Sequence, residues 1–306
     1  MNEAFYEFSL RVGPLVLLVL LGFVAGKWGR VNRDPIGRLL IYFLTPGMVL
    51  SGIIKSPLEP KNALIPLSFF LLCTALCFLS LKTFAKWIVK DKSDRHIVAL
   101  GCGDANSGYF AIPVGTALLG EQSLPYIILI SMGFVLYENT VGYFVAARGS
   151  LSFKESLRRV FKLPAVYAVF FALLLKAAGV ASLPGPLDEL GKSFRATYSV
   201  LGMMMIGMGL SSLKGLQFDF RYLAASFFGK FALWPLILGA GSYFGLASAL
   251  GIPPHFEILL IFTGFLPMAA NMVAISSDVK ASVEKSATAV FLSILMSWIL
   301  LPLLFY

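Results

Sequence analysis

Residues able to hold an anion or carry a proton gather where an apolar sequence should have none. Residues 103–115 read GDANSGYFAIPVG, setting Asp104, Asn106 and Ser107 among glycines, with Gly108 beside them and Pro113 a turn later. A second break, GFLPMAANMVAISSDVK, carries Pro267 and Asn271. Both interrupt a helical stretch, and irregular backbone at membrane depth is tolerated only where protein or a water-filled cavity satisfies it. An asparagine amide offers donors and an acceptor without the desolvation cost of a charge, so Asn106 and Asn271 could hold a carboxylate and release it. Two broken helices crossing near the midplane would add the positive N-termini of half-helices for an anion and free carbonyls for a cation or donor. Kinks that merely improve packing are the plainer alternative.

Ionisable groups at this depth are costly and are functional candidates by default. Asp104 and Glu138 qualify as sites of proton or cation coupling. Glu138 precedes Arg148 by ten positions, roughly 15 Å along a helix at about 1.5 Å per residue. Asn139 beside it could complete a pocket, and a helix-packing hydrogen bond from Glu138 is the competing reading. Lys230 either snorkels to the nearer face or pairs with one of these acids. Arg11, Arg38 and Arg195 sit within a turn or two of helix ends and read as interfacial anchors. His96 and His255, at the starts of matching segments, read as interfacial packing residues.

The elements that position these residues follow from composition. Of 306 residues, 58% are hydrophobic and 13% charged, and mean hydropathy is +0.82, against about 25% charged in soluble domains. The chain reads as an all-α integral membrane protein. Apolar runs and polar breaks give about ten spans, near 8–27, 35–54, 62–81, 96–119, 124–147, 161–180, 187–212, 221–248, 255–279 and 284–304. Glu3 and Glu7 precede the first run where a signal peptide would be basic, so the first helix is expected to stay. Cys73, Cys77 and Cys102 lack metal-ligand spacing and read as packing residues.

Of the 25 Lys and Arg, 17 fall in connections on one side: Lys27, Arg30 and Arg33; Lys82 to Arg95; Arg148 to Lys162; Lys214 and Arg221; Lys280 and Lys285. The positive-inside rule makes that side cytoplasmic and both termini external. The net charge of +9 is then a topology signal that also suits anionic headgroups, and no nucleic-acid partner is needed. The basic connection 149–160 divides the chain into halves, 1–148 and 161–306, each of five spans. Five is odd, so the second half must be inverted, and echoes such as PLVLLVLLGFVAGKWG against PAVYAVFFALLLKAAG recur in the same order. Inverted repeats are a signature of secondary transporters. Glycines and methionines in LGMMMIGMGL suit either a sliding helix or ordinary close packing.

The stretches NSGYFAIPVG and LPMAANMVAISSDVKASVEKSATAV, with YFLTPGMVLSG in the second span, resemble the auxin efflux carrier family of membrane transporters, and the five-plus-five layout resembles it along essentially the whole chain. The resemblance implies a fold shared with bile-acid symporters and sodium/proton antiporters, with a transport domain moving against a scaffold like an elevator. It implies a substrate pocket at Asn106, Ser107, Gly108 and Pro113, with Pro267 and Asn271 opposite. Members lacking a long central loop, as this chain does, are associated with small carboxylates such as malate or malonate and with auxin-like acids, and related carriers are often homodimers. Asp104 departs from this picture, because an anion carrier gains nothing from a fixed negative charge unless a proton or cation neutralises it.

No Ser/His/Asp set, phosphate-binding lysine loop, metal cluster or dinucleotide fingerprint appears, so neither an enzyme nor an ATP-driven pump has support. The expected function is secondary transport of a small organic anion in the cell membrane, without a cofactor, the coupling ion being a proton ahead of sodium. A cation exchanger using Asp104 and a membrane receptor that binds without moving its ligand are the alternatives.

Overall fold

The computed structural model describes residues 2–211 and 218–305, and every regular element among them is helical. Lys214 lies outside the described residues, and the side chains of Arg11 and Pro113 lie outside the described side chains. Along the chain run α1 (Asn2–Lys27), α2 (Arg33–Lys55), α3 (Leu64–Ile88), α4 (Lys92–Cys102), α5 (Ile112–Leu119) and α6 (Glu121–Arg148). They are followed by α7 (Phe153–Val160), α8 (Pro164–Ala177), α9 (Gly185–Ser211), α10 (Phe220–Tyr243), α11 (Ile258–Gly264), α12 (Asn271–Asp278) and α13 (Val283–Phe305). By length and composition α2, α3, α6, α10 and α13 can cross a membrane, and α7 with α8, bent by 49°, would make a sixth span if they act as one. The amphipathic α7 starts on a capping box, in which Ser152 and Glu155 satisfy each other's backbone amides.

Four wide π turns occur among the described residues, one each in α2, α6 and α10 and one just before α5, and proline explains three. The turns at Leu40–Leu44, Ser107–Ala111 and Gly229–Leu233 each end two residues before a proline, Pro46, Pro113 and Pro235. A proline lacks the amide for the i→i−4 bond and its ring crowds the preceding turn, so the helix widens just ahead of it. The fourth, Glu138–Gly142, has no such proline. Three of the four hold polar residues singled out from the sequence: Ser107, Lys230, and Glu138 with Asn139.

Two sets of helices can be traced by packing, and they also touch each other where α9 lies on α13 and α12 on α2. In one, α1 lies along α9, and α2 packs against both α8 and α9. In the other, α3 packs on α4 and α6, α10 on α4, α11 and α13, and α12 on α13. The first group is knitted backbone to backbone: a Cβ on Gly207 would lie 1.9 Å from the Val19 carbonyl oxygen, and one on Gly22 would lie 2.1 Å from that of Met204. Those glycines of LGMMMIGMGL and its neighbour are therefore fixed in a tight seam. Gly209 faces the second group, where its Cβ would meet Ala287 at 2.5 Å.

On the face of the basic connections the two groups are tied together. Ser277 donates to Asp34 (2.7 Å) and Arg33 pairs with Glu284 (2.8 Å), while the Asp278 carboxylate joins members of the second group by accepting from Tyr143, with Arg159 of α7 3.9 Å away. Within the second group, Lys285 bridges Asp94 and Asp219, both at 2.6 Å. The Lys285 ammonium holds the Asp219 carboxyl below the ordinary carboxylate range.

Candidate functional site

The two broken helices meet through their main chains. Between α4 and α5 the chain leaves helical geometry at Gly103, and between α11 and α12 it does so from Phe265 to Ala270. The Asn106 amide donates to the Pro267 carbonyl at 2.8 Å, joining one break to the other. Pro267 thus lies in its break and supplies an acceptor, whereas Pro113 stands at the start of α5, directly after the π turn Ser107–Ala111. Connectivity sends the half-helices to opposite faces: α5 ends toward the loop before α6, and α12 ends among the basic connections.

The polar backbone exposed by each break is met by neighbouring helices, as a site remote from water requires. Ser293 and Ser297 of α13 serve the second break, Ser293 accepting from the Met268 amide at 3.0 Å and Ser297 donating to the Phe265 carbonyl at 2.8 Å. At the first, the Trp234 indole donates to the Cys102 carbonyl (2.7 Å) and the Tyr137 hydroxyl to that of Leu100 (3.1 Å). Gly103 has no substitute there, because a Cβ would fall 2.4 Å from the Tyr137 hydroxyl and 2.6 Å from the Cys73 carbonyl oxygen.

Lys230 is the decisive member of this set. It does not snorkel: the side chain is fully buried, with its ammonium 3.1 Å from the Asp104 carbonyl oxygen and 4.8 Å from the centre of the Trp234 ring. The carboxyls of Asp104 and Glu138 are neighbours, and Lys230 lies close enough to Asp104 for their charges to interact. A buried ammonium needs this company, because its desolvation is otherwise uncompensated. The Asp104 carboxylate also accepts from the Ala105 amide at 2.8 Å. Glu138 accepts from the Asn271 amide at the N-terminus of α12, where the helix dipole favours negative charge.

A cavity of about 490 Å³ lies beside this cluster, between the two helix groups. Its walls come from Leu15 of α1, Met48, Val49, Gly52 and Ile53 of α2, and Arg195 and Ser199 of α9 on one side. Ser107, Gly108, Ile112, Ser131, Met132 and Val135 form the other. The ends Lys55 and Lys192 stand at its mouth, on the face opposite the basic connections. Of the residues singled out from the sequence, Ser107 and Gly108 form the wall, whereas Asp104, Asn106, Glu138, Asn139 and Asn271 are buried around the crossing behind it. Asn139 spends its amide on the Val135 carbonyl at 2.9 Å.

The sequence alone reads Arg195 as an interfacial anchor near a helix end, and the structure adds that it lines the cavity. The sequence assigns Tyr137, Trp234 and Ser293 no part in the site. The partners of these residues are distant along the chain, and no local spacing could report them.

An all-helical chain with several membrane-length apolar helices, polar groups buried at helix breaks and a cavity beside them is built as a multi-pass membrane protein that handles solutes. It belongs to the membrane transport protein family, the auxin efflux carrier family, which matches residues 8–305. It is similar to an uncharacterized transporter of Methanocaldococcus jannaschii, 22% identical over 304 residues that cover 94% of this chain and 95% of that one. The chain is a transporter and not an enzyme.

Proposed function

We propose that the protein carries small organic anions by alternating access, with the cavity between the helix groups as the substrate site and the helix crossing as its moving floor. The observation that carries this reading is the junction itself: two breaks joined at Asn106 and Pro267, with Ser107 and Gly108 of the same break forming cavity wall. In this reading 1–148 and 161–306 are inverted five-helix repeats. The packing supports it, since exchanging the halves turns the α1/α9 contact into that of α8 with α2, and the α3/α4 contact into that of α10 with α11. The scaffold is then α1, α2, α8 and α9, and the remaining helices move as the transport domain. Ties on the basic face and a cavity open on the other correspond to one end of an elevator stroke.

Asp104 and Glu138 are the groups whose charge the cycle would change, with a proton as coupling ion. The Lys230 amine already occupies the cluster, which argues against a sodium requirement. Asn106 and Asn271 hold the crossing in register and turn toward the ligand as the floor moves. Counterflow of labelled carboxylates into proteoliposomes, at two pH values and with and without sodium, tests the proposal. Saturable, sodium-independent exchange that shifts with pH is expected. Cation movement without exchange of any acid would replace it with the cation-exchange reading.

A further inference from the structure

The cavity is chemically polarised in a direction that a carboxylate held at the helix crossing does not explain. Three cations reach its wall or mouth, and two are already matched: Lys55 pairs with Asp188, and Lys192 with Glu189 at 2.7 Å and Asp188 at 3.6 Å. Arg195 makes no hydrogen bond or ion pair among the described residues. Its guanidinium lies against α2, 4.0 Å from where a Cβ on Gly52 would stand. Between it and the crossing the walls are apolar, with Met48, Val49 and Ile53 on one side and Met132 and Val135 on the other. The Ser131 hydroxyl in that wall has no hydrogen-bond partner among the described residues. Behind the floor stand two acids, Asp104 and Glu138, against one ammonium.

We propose that Arg195 captures the anionic end of the ligand, and that the ligand is an amphipathic monocarboxylate lying with its charge toward the mouth and its apolar body toward Ser107 and Gly108. This rests on the cavity being the substrate site. A carboxylate is favoured at Arg195, where a planar fork of donors matches its two oxygens. An apolar body replaces water along the methionine and valine walls. A dicarboxylate would have to place its second charge in that apolar belt, so the same geometry disfavours it.

Binding to the purified full chain in nanodiscs tests this with three probes of one length: octanoate, octanamide and suberate. Octanoate is expected to bind about tenfold or more tightly than either of the others. Arg195→Gln should erase the preference for octanoate over octanamide while leaving octanamide affinity unchanged, and Arg195→Lys should restore part of it. Gly108→Leu, which fills the far end, should weaken octanoate and octanamide alike. A preference for octanoate that survives in Arg195→Gln, or suberate binding as tightly as octanoate, overturns the assignment. Counterflow of hydrophilic acids blocked by Gly108→Leu but untouched by Arg195→Gln would overturn it while leaving the cavity as the site. If no probe binds and Gly108→Leu leaves counterflow intact, the cavity reading falls as well.

Discussion

At the scale of single residues the structure turns on what Lys230 compensates. Its ammonium meets the Asp104 carbonyl and the Trp234 ring and lies near the Asp104 charge. Lys230→Met is therefore expected to cost about 1–3 kcal/mol, since it leaves the buried Asp104 carbonyl without its donor, and to lower the thermal midpoint in detergent along with counterflow. Pairing it with Asp104→Asn should recover part of that loss, because the stranded charge is removed too. Strict additivity of the two substitutions in a double-mutant cycle would show that the residues are not coupled. Gly108 makes the opposite prediction. A Cβ there meets nothing within 4 Å, so Gly108→Leu should leave the melting temperature close to that of the unmodified protein and abolish counterflow.

At the scale of elements the tight seam is that of α1 with α9. Since a Cβ on Gly207 would fall 1.9 Å from the Val19 carbonyl oxygen, Gly207→Ala must push two backbones apart. A loss of about 1–3 kcal/mol or more is expected, read as reduced folded yield in fluorescence-detected chromatography, where Gly108→Ala should be neutral. The helices themselves are legible in the sequence: residues 124–147 read as a span, and Glu121–Arg148 is helical. The two breaks are equally legible, because Asn, Gly and Pro clustered in an apolar run weaken a helix through their own backbone preferences, whatever packs around them. Lys230 is legible only as a choice between snorkelling and pairing with Asp104 or Glu138, since nothing within its own span decides between them. Arg195 is not legible as a cavity residue, because nearness to a helix end says nothing about whether a side chain faces lipid or a cavity, which depends on the rotation of α9 against α2. The contact of Glu138 with Asn271 likewise joins residues that only the tertiary crossing brings together.

At the scale of the whole molecule, the proposed cycle assigns the ties on the basic face to holding that face closed while the cavity is open on the other. Glu284→Gln removes the pair with Arg33 and Asp34→Ala removes the acceptor of Ser277. The two together should increase thiol labelling of a cysteine placed at Ser276, buried in α12, by a reagent applied from that face. Unchanged labelling would mean that these contacts do not hold the face closed. Acid acts on the same region. Because Asp219 is held below its ordinary value, its contribution is complete above about pH 4 and is lost as pH falls through the depressed folded value. Asp219→Asn should therefore flatten the acid limb of a melting-temperature profile without altering its slope near neutrality. The hydrogen bond between Asn106 and Pro267 also has a consequence in time. At about 5–20 residues per second of synthesis, the partner of that amide leaves the ribosome on the order of 10–30 s after it. Until then the first break sits in the bilayer with an unanswered donor, so the nascent first half must be sheltered by water, lipid headgroups or an insertion factor, and the crossing is made only when the second half arrives.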